Sequence, residues 1–216
     1  MNLHHTVTDA LNLSRRADWL GPLALRIYLA PIFILAGWHK LTALEATASW
    51  FEYLGLPLPM SLALLAGATE LVGGVSLLLG LGLRLLALPL MVTMVVAAVS
   101  AHWENGWHVL PESTLTVPWE WRSDLIAEAQ NRREVARELL QQHGNYAWLT
   151  EAGSITILKN GIEFAATYFI MLLMLFFSGA GRYVSVDYWL NRHWMGTRSQ
   201  PLLSGATSTP CNSAQN

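Results

Sequence analysis

The stretch Met60–Leu83, MSLALLAGATELVGGVSLLLGLGL, decides the fold. It is apolar over about the 20 residues that a helix needs to cross a bilayer. Its one charge, Glu70, stands near the middle. A carboxylate at that depth costs about 2.5 kcal/mol or more, so it persists only with a partner or a role. On a helical repeat Ala66, Glu70 and Gly74 share a face, with Gly67 and Gly73 on its flanks. Small residues there let a neighbouring helix come close. Two readings stay open at this point. The carboxylate either fixes helix packing or marks a site.

The composition extends the membrane reading to the whole chain. Of 216 residues, 53% are hydrophobic and 13% charged, which is too apolar for an ordinary soluble domain. Ten tryptophans suit the bilayer interfaces. A net charge of −2 gives no footprint for nucleic acid. The lone cysteine, Cys211, excludes an internal disulfide and a CxxC redox pair. The N-terminal MNLHHTVTDALNLSRRADWL has no apolar run followed by a cleavage site, so no signal peptide is expected.

Outward from Met60–Leu83, three more apolar runs read as spans: Pro22–Leu41, Leu85–Trp103 and Ile155–Ser178. Pro31 is expected to kink the first. The prolines of EYLGLPLP end any helix before the second, and Gly80–Arg84 turns tightly into the third. Residues 104–152 are polar and Trp-rich and form an external insertion. Within it Asp124–His143 reads as an amphipathic helix, capped by Ser123 and stopped by Gly144. It either lies on the membrane or packs on neighbouring loops. The predicted fold is therefore all-α: a four-transmembrane-helix bundle with an external amphipathic helix between spans three and four. It forms one membrane domain over residues 1–195, followed by a disordered Ser/Thr/Pro tail at 196–216.

Arg15, Arg16, Arg84, Arg182, Arg192 and Arg198 fall on one side of a four-span chain. Lys40, Lys159 and the arginines of the 104–152 insertion, which are interleaved with acids and mostly far from the span ends, fall on the other. The positive-inside rule then puts both termini in the cytoplasm. Helix rise places Glu70 roughly 15 Å and Glu163 roughly 12 Å below the outer ends of their spans. Lys159 and Glu163, four apart, would share a helix face. His39, Lys40 and His102 close the outer ends of spans one and three. The expected ligand-binding set is accordingly Lys40, Glu70, His102, Lys159 and Glu163, in one outer cavity roofed by Asp124–His143. Glu70 is expected to pair with a basic residue of another span, Arg26 or Lys40; Arg26 either forms that structural ion pair or snorkels to the interface. His39 and His102 lack the further ligands that haem or copper would want, so no metal site is predicted.

These residues resemble the DoxX family of small four-span bacterial membrane proteins. The resemblance rests on Arg26 with AGWHKL, on Pro57-Leu-Pro59, and on Glu70-Leu-Val-Gly73-Gly74 through Gly80-Leu-Gly-Leu-Arg84. Gly179-Ala-Gly181-Arg-Tyr-Val-Ser185-Val-Asp187 completes it. Residues 104–152 with ILKNGIEFAATYF further resemble a branch associated with maturation of copper-binding modified peptides. The family's shared polar residues correspond to Arg26, Lys40, Glu70 and Arg84. The resemblance implies a bacterial inner-membrane accessory redox protein, with membrane or peptide-maturation proteins as partners besides the lipid bilayer. Its expected ligand is quinone-like, ahead of haem or copper. An assembly scaffold whose charges only lock helices is the alternative, and a small proton-relay transporter a third.

Overall fold

The computed structural model describes residues 17–112 and 114–196. The expected tail from 197 onward, and Arg15, Arg16, Arg198 and Cys211, lie outside the described residues. The described chain is helical, with no strand among its described residues. In order the helices are α1 (Leu20–Thr42), α2 (Leu44–Tyr53), α3 (Pro59–Leu79), α4 (Leu83–Ala97), α5 (Asp124–His143), α6 (Tyr146–Leu149), α7 (Glu163–Ser178) and α8 (Val186–Gly196). A π-helical turn, Ala98–His102, and a 3₁₀ turn, Trp103–Asn105, prolong α4. Three helices are long and apolar enough to cross a membrane: Leu20–Thr42, Pro59–Leu79 and Leu83–Asn105. The fourth apolar helix, α7, has 16 residues. The molecule is thus a polytopic helical bundle.

The four long helices alternate in direction. At one end the start of α1, the α3–α4 turn and the segment after α7 meet. At the other, α4's last turns meet the strand-like run that leads into α7. Leu29, Phe33, Leu77, Leu83, Leu90, Leu172 and Leu175 fill the centre and are all fully buried. Large apolar side chains such as Ile27, Leu65, Leu85, Val92 and Ile170 remain exposed on the outside, the distribution a lipid-facing bundle has.

Glycine sets the distance between α1 and α3. A Cβ on Gly37 would run into the backbone of Leu71 and Gly67, and one on Gly74 would lie 2.7 Å from Ile34 N. The small-residue face around Glu70 is therefore the face that receives α1. Gly80 and Gly82 adopt left-handed φ of 66° and 60°, which closes the α3–α4 turn in three residues.

α1 runs through Pro31 to Thr42 as one helix. Two local expectations change. The link 42–59 holds a helix, α2, whose Ala48 and Phe51 pack against Ala63. The fourth span begins at Glu163, not at Ile155. Residues 154–161 run without helix, and Asn160 takes a left-handed φ of 60°. The sequence carries the cause: Ile155-Thr-Ile157 is β-branched, and Asn160-Gly161 favours a turn. Lys159 and Glu163 hence do not share a helix face.

Candidate functional site

Lys40, in the last turn of α1, donates to Glu70 Oε2 of α3 at 2.5 Å. Gly67 makes this contact feasible. It stands one turn before Glu70, where a Cβ would lie 3.2 Å from Lys40 Cβ. The Glu70 side chain is 5% exposed and that of Lys40 24%, so the pair is closed on the acid side and open on the amine side. An ammonium carries three donors, and Glu70 takes one.

The expected Arg26–Glu70 pair does not form. Arg26 is 2% exposed and turns to the opposite end of the bundle. Its Nε donates to Leu77 O at 2.7 Å and its Nη2 to Leu78 O at 2.9 Å, satisfying orphan carbonyls at the C-terminus of α3. Its Nη1 donates to Ala180 O and Val184 O at 2.8 and 2.9 Å. Asp187 closes the junction by accepting from Gly82 N at 2.9 Å while its own N–H reaches Gly80 O. The guanidinium fork fits because its five donors diverge in one plane.

The other expected site residues lie in the outer segment, each with its own partner. Lys159 Nζ donates to Glu120 Oε2 at 2.6 Å, with the two side chains 3% and 0% exposed. Burial opposes charge on Glu120. The Lys159 hydrogen bond and the N–H groups of Arg122 and Trp107 outweigh it and hold the carboxyl below its ordinary range. Glu163 is the first residue of α7, so it sits at the helix mouth and not a dozen ångströms inside. Its Oε2 accepts from Val109 N at 3.0 Å and lies 3.6 Å from His108 Nδ1. His108 Nε2 in turn lies 2.6 Å from Glu112 Oε1. His102 Nδ1 donates to Asn160 O at 2.9 Å, because a carbonyl can only accept.

Main chain binds this segment together. The carbonyls of Gly106, Trp107, His108 and Val109 receive the N–H groups of Lys159 through Glu163, at 2.9 to 3.1 Å. The N-terminus of α7 is thereby capped from outside. Gly161 is required, since a Cβ there would sit 2.5 to 2.6 Å from three of those carbonyls.

A cavity of about 420 Å³ opens here, lined among others by Glu104, Asn105, Arg122, Lys159 and Asn160. Leu125, Glu128, Ala129 and Arg132 of α5 form one of its walls. Of the five expected ligand residues only Lys159 lines it. Lys40–Glu70 forms a separate pair within the bundle. Sequence reasoning missed Glu120, His108 and Glu112. The available signal was a buried-type lysine in an external segment whose Trp-flanked acid, Trp119-Glu120-Trp121, could match it. Among the described residues, no group of three His, Cys, Asp or Glu side chains could hold a metal ion.

Comparison with known proteins supplies the last observation. The model of the DoxX family matches residues 21–103, which cover α1 to the end of the third span. The chain is also similar to a protein of Bacillus subtilis (strain 168) named "Putative oxidoreductase CatD", with 33% identity over 81 residues. That match covers 38% of this chain and 59% of the relative. No solved structure matches.

Proposed function

We propose that this DoxX-matched chain is a bacterial inner-membrane accessory redox protein, which takes a quinone-like ligand at the outer end of its bundle. One observation carries the reading: Lys40–Glu70, a buried acid with a half-open amine, placed where α1 and α3 are held together by glycine. The DoxX model matches residues 21–103, the part of the chain that contains this pair. In this reading a free N–H of Lys40 donates to a ligand carbonyl oxygen. Glu70 holds or gives up the proton beside it. His102, Lys159 and Glu163 shape the outer segment around the mouth. A place in maturation of copper-binding peptides would then rest on partner proteins, since no three His, Cys, Asp or Glu side chains among the described residues are grouped to hold a metal ion. The arginines favour cytoplasmic termini, and reporter fusions at residues 120 and 195 should report opposite compartments.

The test is extraction of the purified protein followed by mass spectrometry. An isoprenoid quinone should co-purify with wild type and be depleted in Lys40→Gln and Glu70→Gln, with insertion intact. Equal quinone in all three proteins ends the proposal. The scaffold reading is supported by the Lys159–Glu120 pair, which is shut away from solvent on both sides. It predicts no co-purifying ligand and loss of stability in every charge variant.

A further inference from the structure

A second cavity, of about 690 Å³, lies at the other end of the bundle, where the tight α3–α4 turn meets the segment after α7. Ligand pockets commonly run to about 300–1,000 Å³. Its wall carries Asp18, Trp19, Arg84, Arg182, Asp187 and Tyr188. We infer that this cavity binds the phosphate of a membrane phospholipid, held between Arg84 and Arg182.

The charges at this end divide into two groups. Arg26 and Asp187 are committed to the backbone of the junction, as described above. Arg84 and Arg182 have no ion-pair partner among the described residues. Arg84 makes one long hydrogen bond, 3.4 Å from Nη2 to Phe177 O, and Arg182 is exposed. Arg84 lies over Gly179, where a Cβ would be in van der Waals contact with Nη2 at 3.4 Å. Gly179 has a left-handed φ of 76°, so the main chain there both turns and stays low beneath the guanidinium.

Two guanidiniums facing one cavity suit a phosphate, which they can engage through paired N–H donors. The location suits a lipid. Arg84 lies in the first turn of α4 and Arg182 four residues past the end of α7, where helices of spanning length reach the headgroup region. Trp19 and Tyr183, stacked edge to face at 6.3 Å, supply the aromatic anchors found at that level. Basic pockets between transmembrane helices on the cytoplasmic side are a recurring headgroup site. Asp18, also without an ion pair among the described residues, adds a carboxylate for an ammonium group. The chemistry therefore favours an ethanolamine headgroup, with phosphate on the arginines and amine on Asp18.

Thermal unfolding of the full chain in detergent, with native mass spectrometry, tests this. The probes are phosphatidylethanolamine, phosphatidylglycerol, diacylglycerol of the same acyl chains, and inorganic phosphate. Phosphatidylethanolamine should raise Tm and remain bound, and diacylglycerol should do neither. Arg182→Gln, at an exposed residue, should keep the lipid-free Tm and weaken binding by about tenfold, the loss expected for one charge-assisted contact. Arg84→Gln/Arg182→Gln should abolish the lipid shift. Asp18→Asn should remove the preference for ethanolamine over glycerol. Equal shifts with diacylglycerol, or an Arg182→Gln protein that binds like wild type, overturn the site. A full shift from inorganic phosphate alone would assign the cavity to a soluble phosphate and overturn the lipid.

Discussion

The two ends of the bundle hold their buried charges in opposite ways. At the Arg26 end, a cation is held by the dipoles of backbone carbonyls. Those acceptors carry no titratable proton, and a ligand at that end meets Arg84 and Arg182 instead. At the Lys40 end, basic side chains meet carboxylates: Lys40 with Glu70, Lys159 with Glu120, His108 with Glu112 and Glu163. Each of those pairs can gain or lose a proton. The first end is a joint that fixes topology, and the second is where titratable chemistry can occur.

The largest effect should come from breaking the joint. Arg26→Ala removes four hydrogen bonds to buried or half-buried carbonyls and leaves them orphaned. Each buried unsatisfied group costs about 1–3 kcal/mol, so the total should exceed about 3 kcal/mol. Arg26→Lys should recover little, because an ammonium cannot span carbonyls from α3 and from the segment after α7. Detergent Tm and membrane yield measure this. Retention of wild-type Tm by Arg26→Ala would show that the joint is held by Asp187 and the turn alone.

Lys159→Ala comes next. It strands Glu120, whose side chain is fully buried, and breaking one half of such a pair costs about 3–5 kcal/mol. The cost should stay local. Hydrogen exchange should accelerate over residues 104–122 and 154–163 while α1 and α3 keep their protection. Lys159→Met/Glu120→Leu should be milder than either half alone, since no charge is orphaned. Uniform loss of protection through the bundle would mean that the outer segment and the helices unfold as one unit.

Gly37→Ala is smaller and acts between the ends. Overpacking of this sort costs about 1–3 kcal/mol. The new methyl presses on the main chain of Leu71, one residue from Glu70, so it should also part Lys40 from Glu70. Loss of co-purifying ligand with only a modest fall in Tm would separate the pair's role from its contribution to stability.

Much of the bundle was legible in the sequence because apolar length, small residues and mid-membrane charge are one-dimensional signals. Glu70 and its glycine face announced a close helix contact, and α1 supplies it. The choice between Arg26 and Lys40 was not legible. Both lie on α1, fourteen positions apart, and only the direction of approach sends one to Glu70 and the other to the α3 C-terminus. The fourth span was overextended because Ile155–Leu158 is as apolar as a helix start. The β-branched residues and Asn160-Gly161 pointed to extended chain instead. The shared-depth argument for one outer cavity depended on that error. Once Lys159 leaves the helix and Glu163 moves to its first residue, the charges sort into separate pairs.

The smallest effect concerns pH and sharpens the contrast of the two ends. Glu120 is held below its ordinary value despite burial, by Lys159 and by the N–H groups of Arg122 and Trp107. The unfolded segment therefore binds its proton first as pH falls. The stabilisation is complete above the ordinary carboxylate value of 4.5, and is lost as pH drops below it toward the folded value. The exposed Arg122–Asp124 pair shifts in the same sense, with its hydrogen bonds lowering Asp124. A double variant isolates Glu120: Lys159→Met/Glu120→Leu should flatten the acid dependence of outer-segment exchange between pH 6 and 3, leaving only the remainder due to Asp124. The Arg26 joint should show no such dependence in wild type, because its acceptors are carbonyl oxygens. If the joint's own protection falls with acid as steeply as the outer segment's, Asp187 has a larger share in it than the four carbonyls do, and the two ends do not differ in kind.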